Sequence, residues 1–460
     1  MTASDKTGPP VRLAEALPEE LLGEAALELL LSGWIDPGVM GGPGAVVSVD
    51  GQACGRIISD RTLPARMLQS QSADCDPEYG FTGRVRIPTA STGSTQEVCL
   101  NLEHSAEPVV LGRVKRVGLP GPEVEGVTVA ICMAVYNPDI ESFRRQVGSI
   151  AGQDFSNWIC IVNDDGSDAD IVSAMRQELA KDDRFFFYRN PSNKGFYRNF
   201  EIAISRVPES VSYIALADQD DRWNSNKLRV LLERIRQGYE LVYSDLRIVD
   251  ETGGVIAPSY WGFRINAWQD LHLMLIANTV TGAACMFDRS LLKSLLPFPP
   301  RIGDAFHDHW LACAALASGR IGYVEEPLYD YYQHDNAVIG HCGFGDDVTD
   351  NAIPLRSLFN PLNWKSLAGR LLGSSTAVYW FECRRIESIC NNLSLRLGKP
   401  APAFSLFAGG LSSAWRLFWF FLGNRQSKRK TNRAELRLAR GYLVHSLRSR
   451  LLNKGPLGRR

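Results

Sequence analysis

The sequence predicts a mixed α/β protein with three regions. Between about residues 127 and 340, apolar runs typical of buried parallel strands alternate with helical segments, which favours a doubly wound α/β domain. Short β-like runs separated by Gly, Pro, Ser and Asp precede this region and predict a small β-sandwich. A helical pattern follows it. We therefore expect domains at residues 1–122, 123–345 and 346–460.

The composition is that of an ordinary globular protein of 460 residues, long enough for two or three domains. A net charge of −1 excludes a general attraction to nucleic acid, so we expect no nucleic-acid partner. The ten cysteines are scattered without a CxxC pair, which is typical of reduced thiols in cytosolic proteins. The N-terminal residues lack the basic and apolar regions of a signal peptide, and no run of eighteen apolar residues occurs. These features predict a cytoplasmic protein.

The first region combines one predicted helix with several predicted strands. Acidic residues open the stretch 18–34 and its leucines recur at helical spacing, so we expect a helix there. The runs AVVSV, GRII, GRVRI, EVCLNL and PVVLGRV lie between about residues 45 and 117 and predict the strands of a small accessory β domain. The Gly- and Pro-rich residues 118–123 are the predicted linker to the next region.

The second region contains four predicted strands separated by three predicted helices. The strands are VTVAICMAV (127–135), WICIVNDD (158–165), RFFFYRN (184–190) and VSYIALA (211–217), and the helices are Ile140–Ala151, about 170–180, and Phe196–Ser205. In this architecture the carboxyl ends of the strands lie at one edge of the sheet, where ligands bind. We therefore expect the polar residues that follow the strands to face a single cleft.

An acidic cluster, Asp218-Gln219-Asp220-Asp221, follows the fourth strand. Its carboxylates repel one another by roughly 1 kcal/mol per pair in water and by several near a protein surface. A divalent cation would relieve this repulsion, since Mg²⁺ and Mn²⁺ favour carboxylate oxygens. The alternative is an Asp-rich loop that ends the strand and caps the helix beginning near Asn224. The cluster alone leaves both interpretations open.

Five motifs together resemble the ordered motifs of family 2 glycosyltransferases with the GT-A fold. They are AVYN (134–137), NDDGS (163–167), NKGFYRN (193–199), ADQDDRW (217–223) and FHDHW (306–310). The resemblance runs from about residue 127 to 340 and is closest to the bacterial rhamnosyltransferase-like branch. It implies a nucleotide-sugar-binding domain and an inverting, metal-dependent transferase that moves a sugar from a dTDP- or UDP-linked donor to a glycan or lipid-linked glycan acceptor. A dTDP-rhamnose donor is implied by the resemblance alone.

The same resemblance assigns roles to individual residues. It implies that Asp308 is the catalytic base, and that Asp218 and Asp220 hold Mg²⁺ or Mn²⁺ with His334 closing over the diphosphate or the metal. Asp165 would contact the nucleobase, and Arg198 and Lys194, expected one helical turn apart, would face the phosphates. The other donor-side candidates are Tyr136, Asn137 and Asp221, and the acceptor-side candidates are Thr281, Gly282 and Trp310.

Three alternatives remain open at this stage. The His-x-His pair around Asp308 supplies ligand types that zinc also accepts, although no Cys/His cluster accompanies it. A nucleotidyltransferase would need a Gly-rich basic loop after the first strand, where this chain has Tyr136-Asn137-Pro138. A non-catalytic glycan-binding or scaffold protein would retain the fold without the key carboxylates, all of which are present.

The C-terminal region, rich in aromatic residues over 402–423 and basic from Arg425 onward, has two interpretations. Its helices could pack on the protein and bury Trp415, Phe418, Trp419 and Phe421. Alternatively, an interfacial helix followed by Lys428-Arg429-Lys430 could lie on the anionic inner leaflet of the membrane. A lipid-linked acceptor would favour the second, which predicts peripheral contact with the membrane.

Overall fold

The computed structural model describes residues 11–13, 16–35, 45–59, 80–102, 107–262, 266–303, 305–333, 376–423, 438–439, 441–443 and 446. These residues divide into two compact units. One comprises the described residues up to 118 together with 376–423 and the short segments at 438–446, and the other comprises residues 119–333.

Eight strands of the first unit hydrogen-bond into one sheet, which confirms the predicted N-terminal β domain. They are β1 (Val11–Leu13), β2 (Glu20–Leu22), β3 (Leu27–Ile35), β4 (Ala45–Val49), β5 (Gln52–Ser59), β6 (Gly80–Ile87), β7 (Thr95–Leu102) and β8 (Val109–Val117). Their order is β1-β3-β6-β5-β4-β7-β8-β2, and every pair is antiparallel except β2 with β8. One continuous core of aliphatic side chains and Phe81 fills the concave side of this sheet.

The helix predicted over residues 18–34 is wrong, because β2 and β3 occupy this stretch. The run Leu27-Glu28-Leu29-Leu30-Leu31 fits both periodicities: its leucines recur at helical spacing, yet Leu27, Leu29 and Leu31 also alternate with less buried neighbours. Strand β3 pairs with β6 over eight residues, and this pairing decides between the two patterns. Tertiary pairing has therefore overridden local helix propensity.

The second unit is a nine-stranded mixed sheet covered by helices. Its strands are β9 (Val129–Val135), β10 (Trp158–Asp164), β11 (Phe185–Arg189), β12 (Tyr213–Ala217), β13 (Arg222–Trp223), β14 (Leu241–Val249), β15 (Val255–Ala257), β16 (Cys285–Asp288) and β17 (Ile321–Tyr332). The order is β11-β10-β9-β12-β16-β14-β17-β13, with β15 paired to β14. Strands β9 to β12 run parallel, whereas β16 runs antiparallel to its two neighbours.

The helices of this unit are α1 (Ile140–Ala151), α2 (Ala169–Leu179), α3 (Phe196–Ser205), α4 (Lys227–Ile235), α5 (Leu271–Ile276), α6 (Leu292–Leu295) and α7 (His307–Ser318). The four strands and three helices expected before Asp218 are all confirmed. The parallel order β11-β10-β9-β12 brings the carboxyl ends of these strands together at one edge of the sheet. This edge carries the candidate site.

Two helices, α8 (Thr376–Leu397) and α9 (Gly410–Gly423), belong to the first unit. Asn392 of α8 accepts a hydrogen bond from the backbone amide of Glu28 at 2.9 Å, which ties α8 to β3. On α9, Leu417 and Phe421 are buried, whereas Trp415 and Trp419 are 63% and 54% exposed. The interpretation in which this segment packs on the protein required both tryptophans to be buried, and the structure does not show this. Within the described residues, no helix is long and apolar enough to cross a bilayer.

Candidate functional site

The acidic loop after β12 is fixed by neighbouring elements. Arg145 of α1 donates to the Asp220 carbonyl at 2.7 Å, and its guanidinium lies 3.6 Å from the centre of the Tyr332 ring. The Gln219 side chain accepts from the Tyr136 amide at 2.8 Å and so joins the loop to the end of β9. Asp221 is buried, and one of its oxygens, Oδ2, has no partner among the described residues. A buried carboxylate oxygen with no protein partner fits a site that binds a cation.

The second carboxylate of the site, Asp308, lies in the first turn of α7. It accepts hydrogen bonds from the backbone amides of Gly282 and His309, while its Oδ1 is buried with no partner in the described part of the chain. The side chain is only 8% exposed. Two amides therefore orient the carboxylate and leave one oxygen available to accept a proton.

Gly282 makes this arrangement possible because it lacks a side chain. A Cβ at this position would lie 2.6 Å from Nε2 of His307 and 3.5 Å from Cβ of Asp308. The His307 ring cannot move away easily, since it stacks on Phe200 with the ring centres 3.8 Å apart. Residue 282 must therefore be glycine for its amide to reach Asp308.

The electrostatics of the site link its two halves. Burial, followed by the negative charges of Asp220 and Asp308, raises the pKa of Asp218 to about 7, although the Lys227 charge opposes the shift. Burial also raises the pKa of Asp308 to about 7, and that of Asp221 lies well above its ordinary value. Since the charge of Asp308 acts on Asp218, the carboxylates predicted at the metal and at the base belong to one site.

Lys227, which the sequence interpretation missed, lies beneath this site. Its ammonium group donates to the Ala283 carbonyl and lies 3.6 Å from the Trp223 ring centre and 4.6 Å from that of Tyr329. The side chain is fully buried, and burial lowers its pKa to about 7. Its charge in turn lowers the pKa values of Asp218 and Asp221. The sequence does not distinguish Lys227 from an exposed lysine of a helix, and its only sign of burial is Trp223 four residues earlier.

The carboxylate at the end of the second strand, Asp165, is held by the turn that precedes α3. Its Oδ1 accepts from the Lys194 amide and from the Asn190 side chain at 2.8 Å each, and Oδ2 accepts from the Gly195 amide at 2.8 Å. The carboxylate is buried behind the turn that precedes α3. Both oxygens thus hold the turn in place, and contact of Asp165 with a nucleobase stays a prediction.

The remaining donor-side candidates are arranged around the same turns. Tyr136 is 48% exposed at the end of β9, and Asn137 accepts from the Asp168 amide at 2.8 Å with φ at 40°. Lys194 is exposed but precedes α3, which begins at Phe196, so the expectation that it lies on that helix is wrong. Arg198 is on α3, where it forms an ion pair with buried Glu201.

The acceptor-side candidates divide in a similar way. Thr281 is partly buried directly before Gly282. Trp310 is only 2% exposed, and its indole N–H donates to the Leu295 carbonyl at 3.0 Å, so it cannot offer a face to an acceptor. The hydrophobic pattern of α7 buries it in the core.

The metal-ligand candidates beyond the acidic loop receive no support. His309 bonds the Met274 carbonyl at 2.8 Å while His307 stacks on Phe200, so the pair does not converge on a zinc ion. Among the described residues, no three His, Cys, Asp or Glu side chains are grouped to hold a metal ion. His334 lies outside the described residues, as do Lys428, Arg429 and Lys430.

A mixed sheet that collects carboxylates at the ends of its parallel strands defines the doubly wound α/β class, of which the GT-A fold is one form. Residues 130–296 match the family model described as Glycosyl transferase family 2. This part of the chain is therefore similar to family 2 glycosyltransferases, and the predicted fold class is confirmed. The rhamnosyltransferase-like branch of the resemblance is not established by this match.

Individual relatives are more distant. The chain is 29% identical over 119 residues to a GalNAc(5)-diNAcBac-PP-undecaprenol beta-1,3-glucosyltransferase of Campylobacter jejuni, covering 24% of this chain and 38% of that protein. Similar solved structures include S. aureus TarS 1–349, with a TM-score of 0.38, 14% identity, and coverage of 71% of this chain and 92% of that one. Another is the mannosyltransferase PcManGT of Pyrobaculum calidifontis in complex with GDP-Man and Mn²⁺, with a TM-score of 0.37, 14% identity, and coverage of 73% and 90%.

Proposed function

We propose that this protein is an inverting glycosyltransferase that moves a sugar from a nucleotide-diphosphate donor to a hydroxyl group of a glycan. The observation that carries the proposal is the pairing of Asp308 with the acidic loop at one sheet edge, with the pKa values of Asp308 and Asp218 both raised to about 7. A pKa near neutrality suits a general base, which must be ionised yet hold a proton well.

The chemistry assigns a separate task to each half of the site. Oδ1 of Asp308 accepts the proton of the acceptor hydroxyl as that oxygen attacks the anomeric carbon. The bond between the anomeric carbon and the donor diphosphate breaks, and its electron pair leaves with the nucleoside diphosphate. Attack from the face opposite the leaving group inverts the anomeric configuration.

The acidic loop fits a divalent cation, because buried Asp221 has an unpaired oxygen and the partly exposed Asp218 and Asp220 lie in the same loop, although the three side chains are not already grouped around one point. Asp218 and Asp220 would hold Mg²⁺ or Mn²⁺, and the diphosphate and water would complete the coordination, as is usual for Mg²⁺. A bound cation supplies positive charge to the diphosphate as it leaves. Lys227 adds a second positive charge from beneath the loop, on the side of Asp221 and Asp218.

The donor sugar and acceptor are finer parts of the proposal. A dTDP- or UDP-linked sugar, with dTDP-rhamnose first among the candidates, follows from the motif resemblance. A lipid-linked glycan acceptor is supported by the curated relative, whose name contains PP-undecaprenol. The chain spans 38% of the length of that relative, so the whole-protein activity belongs to the proposal.

Incubation of the purified protein with Mn²⁺ and a panel of nucleotide sugars tests the donor half. The expected result is release of one nucleoside diphosphate from one preferred donor, suppressed by EDTA. A glycan-binding scaffold would release none. A nucleotidyltransferase would instead release pyrophosphate from nucleoside triphosphates and would be identified by that product.

Peripheral membrane contact through α9 completes the proposal. Trp415, Trp419 and Leu422 form an exposed stripe on the side opposite buried Leu417 and Phe421, and basic residues follow in the sequence. Tryptophans beside basic residues favour the interface of an anionic bilayer.

Co-sedimentation with phosphatidylglycerol vesicles should be lost in a Trp415→Ser/Trp419→Ser variant. It should be retained in the control Val255→Ser/Ile256→Ser, which removes a comparable exposed apolar pair. Equal sedimentation of the two variants would contradict membrane contact through α9.

A further inference from the structure

An aromatic pair, Tyr260 and Trp261, lies beside the turn that carries Gly282. Along the edge of β14 that faces β16, Tyr243 is paired with Cys285, and three residues further the Leu246 carbonyl accepts from the Tyr260 amide at 2.9 Å. Three residues of a strand span about 10 Å. Because β16 is antiparallel to β14, residues 282–284 continue from Cys285 toward that same part of the edge. The pair is therefore close to the amide that orients Asp308.

A buried carboxylate holds the aromatic pair in place. Asp245 accepts from the amide of Tyr260 at 3.0 Å, from that of Trp261 at 3.2 Å, and from the Ser259 hydroxyl. Asp245 is itself buried. The two rings meet edge to face with centres 4.9 Å apart, and both are partly exposed. The segment thus presents rigid aromatic surface at low entropic cost to a ligand.

Trp261 and two residues of strands β14 and β17 carry polar atoms without partners. The indole N–H of Trp261, the hydroxyl of Ser244 and the hydroxyl of Tyr329 are buried and make no hydrogen bond within the described residues. Tyr331 joins the pair to the acidic loop, since the charges of Asp221, Asp218 and Asp220 and that of Tyr260 all act on it. Buried donors and acceptors are rarely left unpaired, so the free indole N–H beside an exposed aromatic surface fits a polar ligand.

We propose that Tyr260 and Trp261 form an acceptor subsite that binds a pyranose ring of the glycan, with the ring's apolar face against the aromatic surface. The hydroxyl groups of the sugar would pair with the Trp261 indole and with Ser244. A pyranose combines an apolar face with a rim of hydroxyls, which matches this combination of aromatic rings and unpaired polar atoms. The subsite rests on the proposed transferase function and takes the acceptor role that buried Trp310 cannot fill.

Acceptor kinetics test the subsite. The probes are p-nitrophenyl glycosides of rhamnose, glucose and N-acetylglucosamine, with the donor that the wild type turns over. Trp261→Ala should raise the acceptor KM about tenfold, the loss expected for one stacking contact and its area. The donor KM and nucleoside diphosphate release to water should stay within about twofold if the pair binds the acceptor alone. Tyr213→Ala is the matched control, because Tyr213 is a partly exposed aromatic residue at the amino end of β12, away from the carboxyl edge that carries the site.

Direct binding separates failure of the subsite from failure of the transferase proposal. Saturation-transfer NMR should detect a glycoside on the wild-type protein and lose the signal in Trp261→Ala, whether or not the donor is turned over. Tyr260→Ala and Trp261→Phe provide milder variants if Trp261→Ala does not fold. An unchanged acceptor KM and an unchanged NMR signal in a folded Trp261 variant would overturn the subsite. Absence of donor turnover with glycoside binding intact would overturn the transferase proposal alone.

Discussion

Replacing Asp308 by asparagine should make the protein more stable above neutral pH while removing transfer. In the native protein burial raises the pKa of Asp308 to about 7, whereas an unfolded aspartate ionises near pH 3.9. Between pH 5 and 7 the native state therefore binds one more proton than the unfolded state. The free energy of unfolding must fall as pH rises through this window.

The size of the effect follows from the same values. Each pH unit in which the native state holds one extra proton lowers the stability by about 1.4 kcal/mol. From pH 5 to pH 8 the wild type should lose about 3 kcal/mol from Asp308 alone. Asp308→Asn keeps the shape and the acceptor for the Gly282 amide but has no proton to lose, so this loss disappears. Asp218, whose pKa is raised to about 7 in part by the charge of Asp308, should ionise more easily in the variant, which acts in the same direction.

Urea unfolding in EDTA-containing buffer at pH 5 and at pH 8, followed by circular dichroism, measures the difference. The variant should gain about 3 kcal/mol on the wild type between the two pH values. Asp168→Asn is the matched control, because Asp168 is exposed and its side chain makes no capping hydrogen bond. If the stability difference between Asp308→Asn and wild type is the same at both pH values, Asp308 is not held protonated by burial and the argument for a base near neutrality fails.

Three further predictions concern the surroundings of the two carboxylates. Gly282→Ala should lower kcat by at least about tenfold, because its Cβ would collide with His307 and displace Asp308. The control Gly148→Ala has open space at the Cβ and should leave kcat unchanged. Equal kcat values in the two variants would contradict the role of Gly282. Lys227→Met should raise the Mn²⁺ concentration needed for half-maximal activity, because without the Lys227 charge the pKa values of Asp218 and Asp221 rise further and protons compete with the metal. Calorimetric unfolding should distinguish this from loss of fold, and unchanged metal dependence in a folded variant would refute it. Asp165→Asn should weaken donor binding, because it loosens the turn at Lys194 and Gly195. Calorimetry with the nucleoside diphosphate measures this affinity, and an unchanged affinity would show that the turn is not part of the donor site.

The sequence predicted the parts of the fold that depend on local pattern. The apolar runs before Asn137, Asp165 and Asp218 are long and bounded by clear turn residues, so strands β9, β10 and β12 were recognisable without tertiary information. Strand β3 was missed because its leucine run satisfies two periodicities, and only pairing with β6 decides between them. A single sequence does not contain that pairing.

The candidate site followed the same division. Asp218, Asp221 and Asp308 could be proposed from the sequence because carboxylates at strand ends and in a recognisable motif carry a signal there. The roles of Asp165 and Trp310 were not predictable, since backbone amides and a core carbonyl took up their polar atoms in three dimensions. Lys227 and Tyr260 were missed because burial of a lysine and the register of an aromatic residue on a strand edge depend on long-range packing.

The central claim is that Asp308 and the acidic loop are the two halves of one transferase site. The most direct test measures donor binding and nucleoside diphosphate release for the wild type, Asp308→Asn and Asp218→Asn with Mn²⁺. We expect the wild type to bind and turn over one donor, Asp308→Asn to bind it without turnover, and Asp218→Asn to lose Mn²⁺-dependent binding. Turnover by Asp308→Asn at the wild-type rate, or donor binding by Asp218→Asn with unchanged affinity, would contradict the claim.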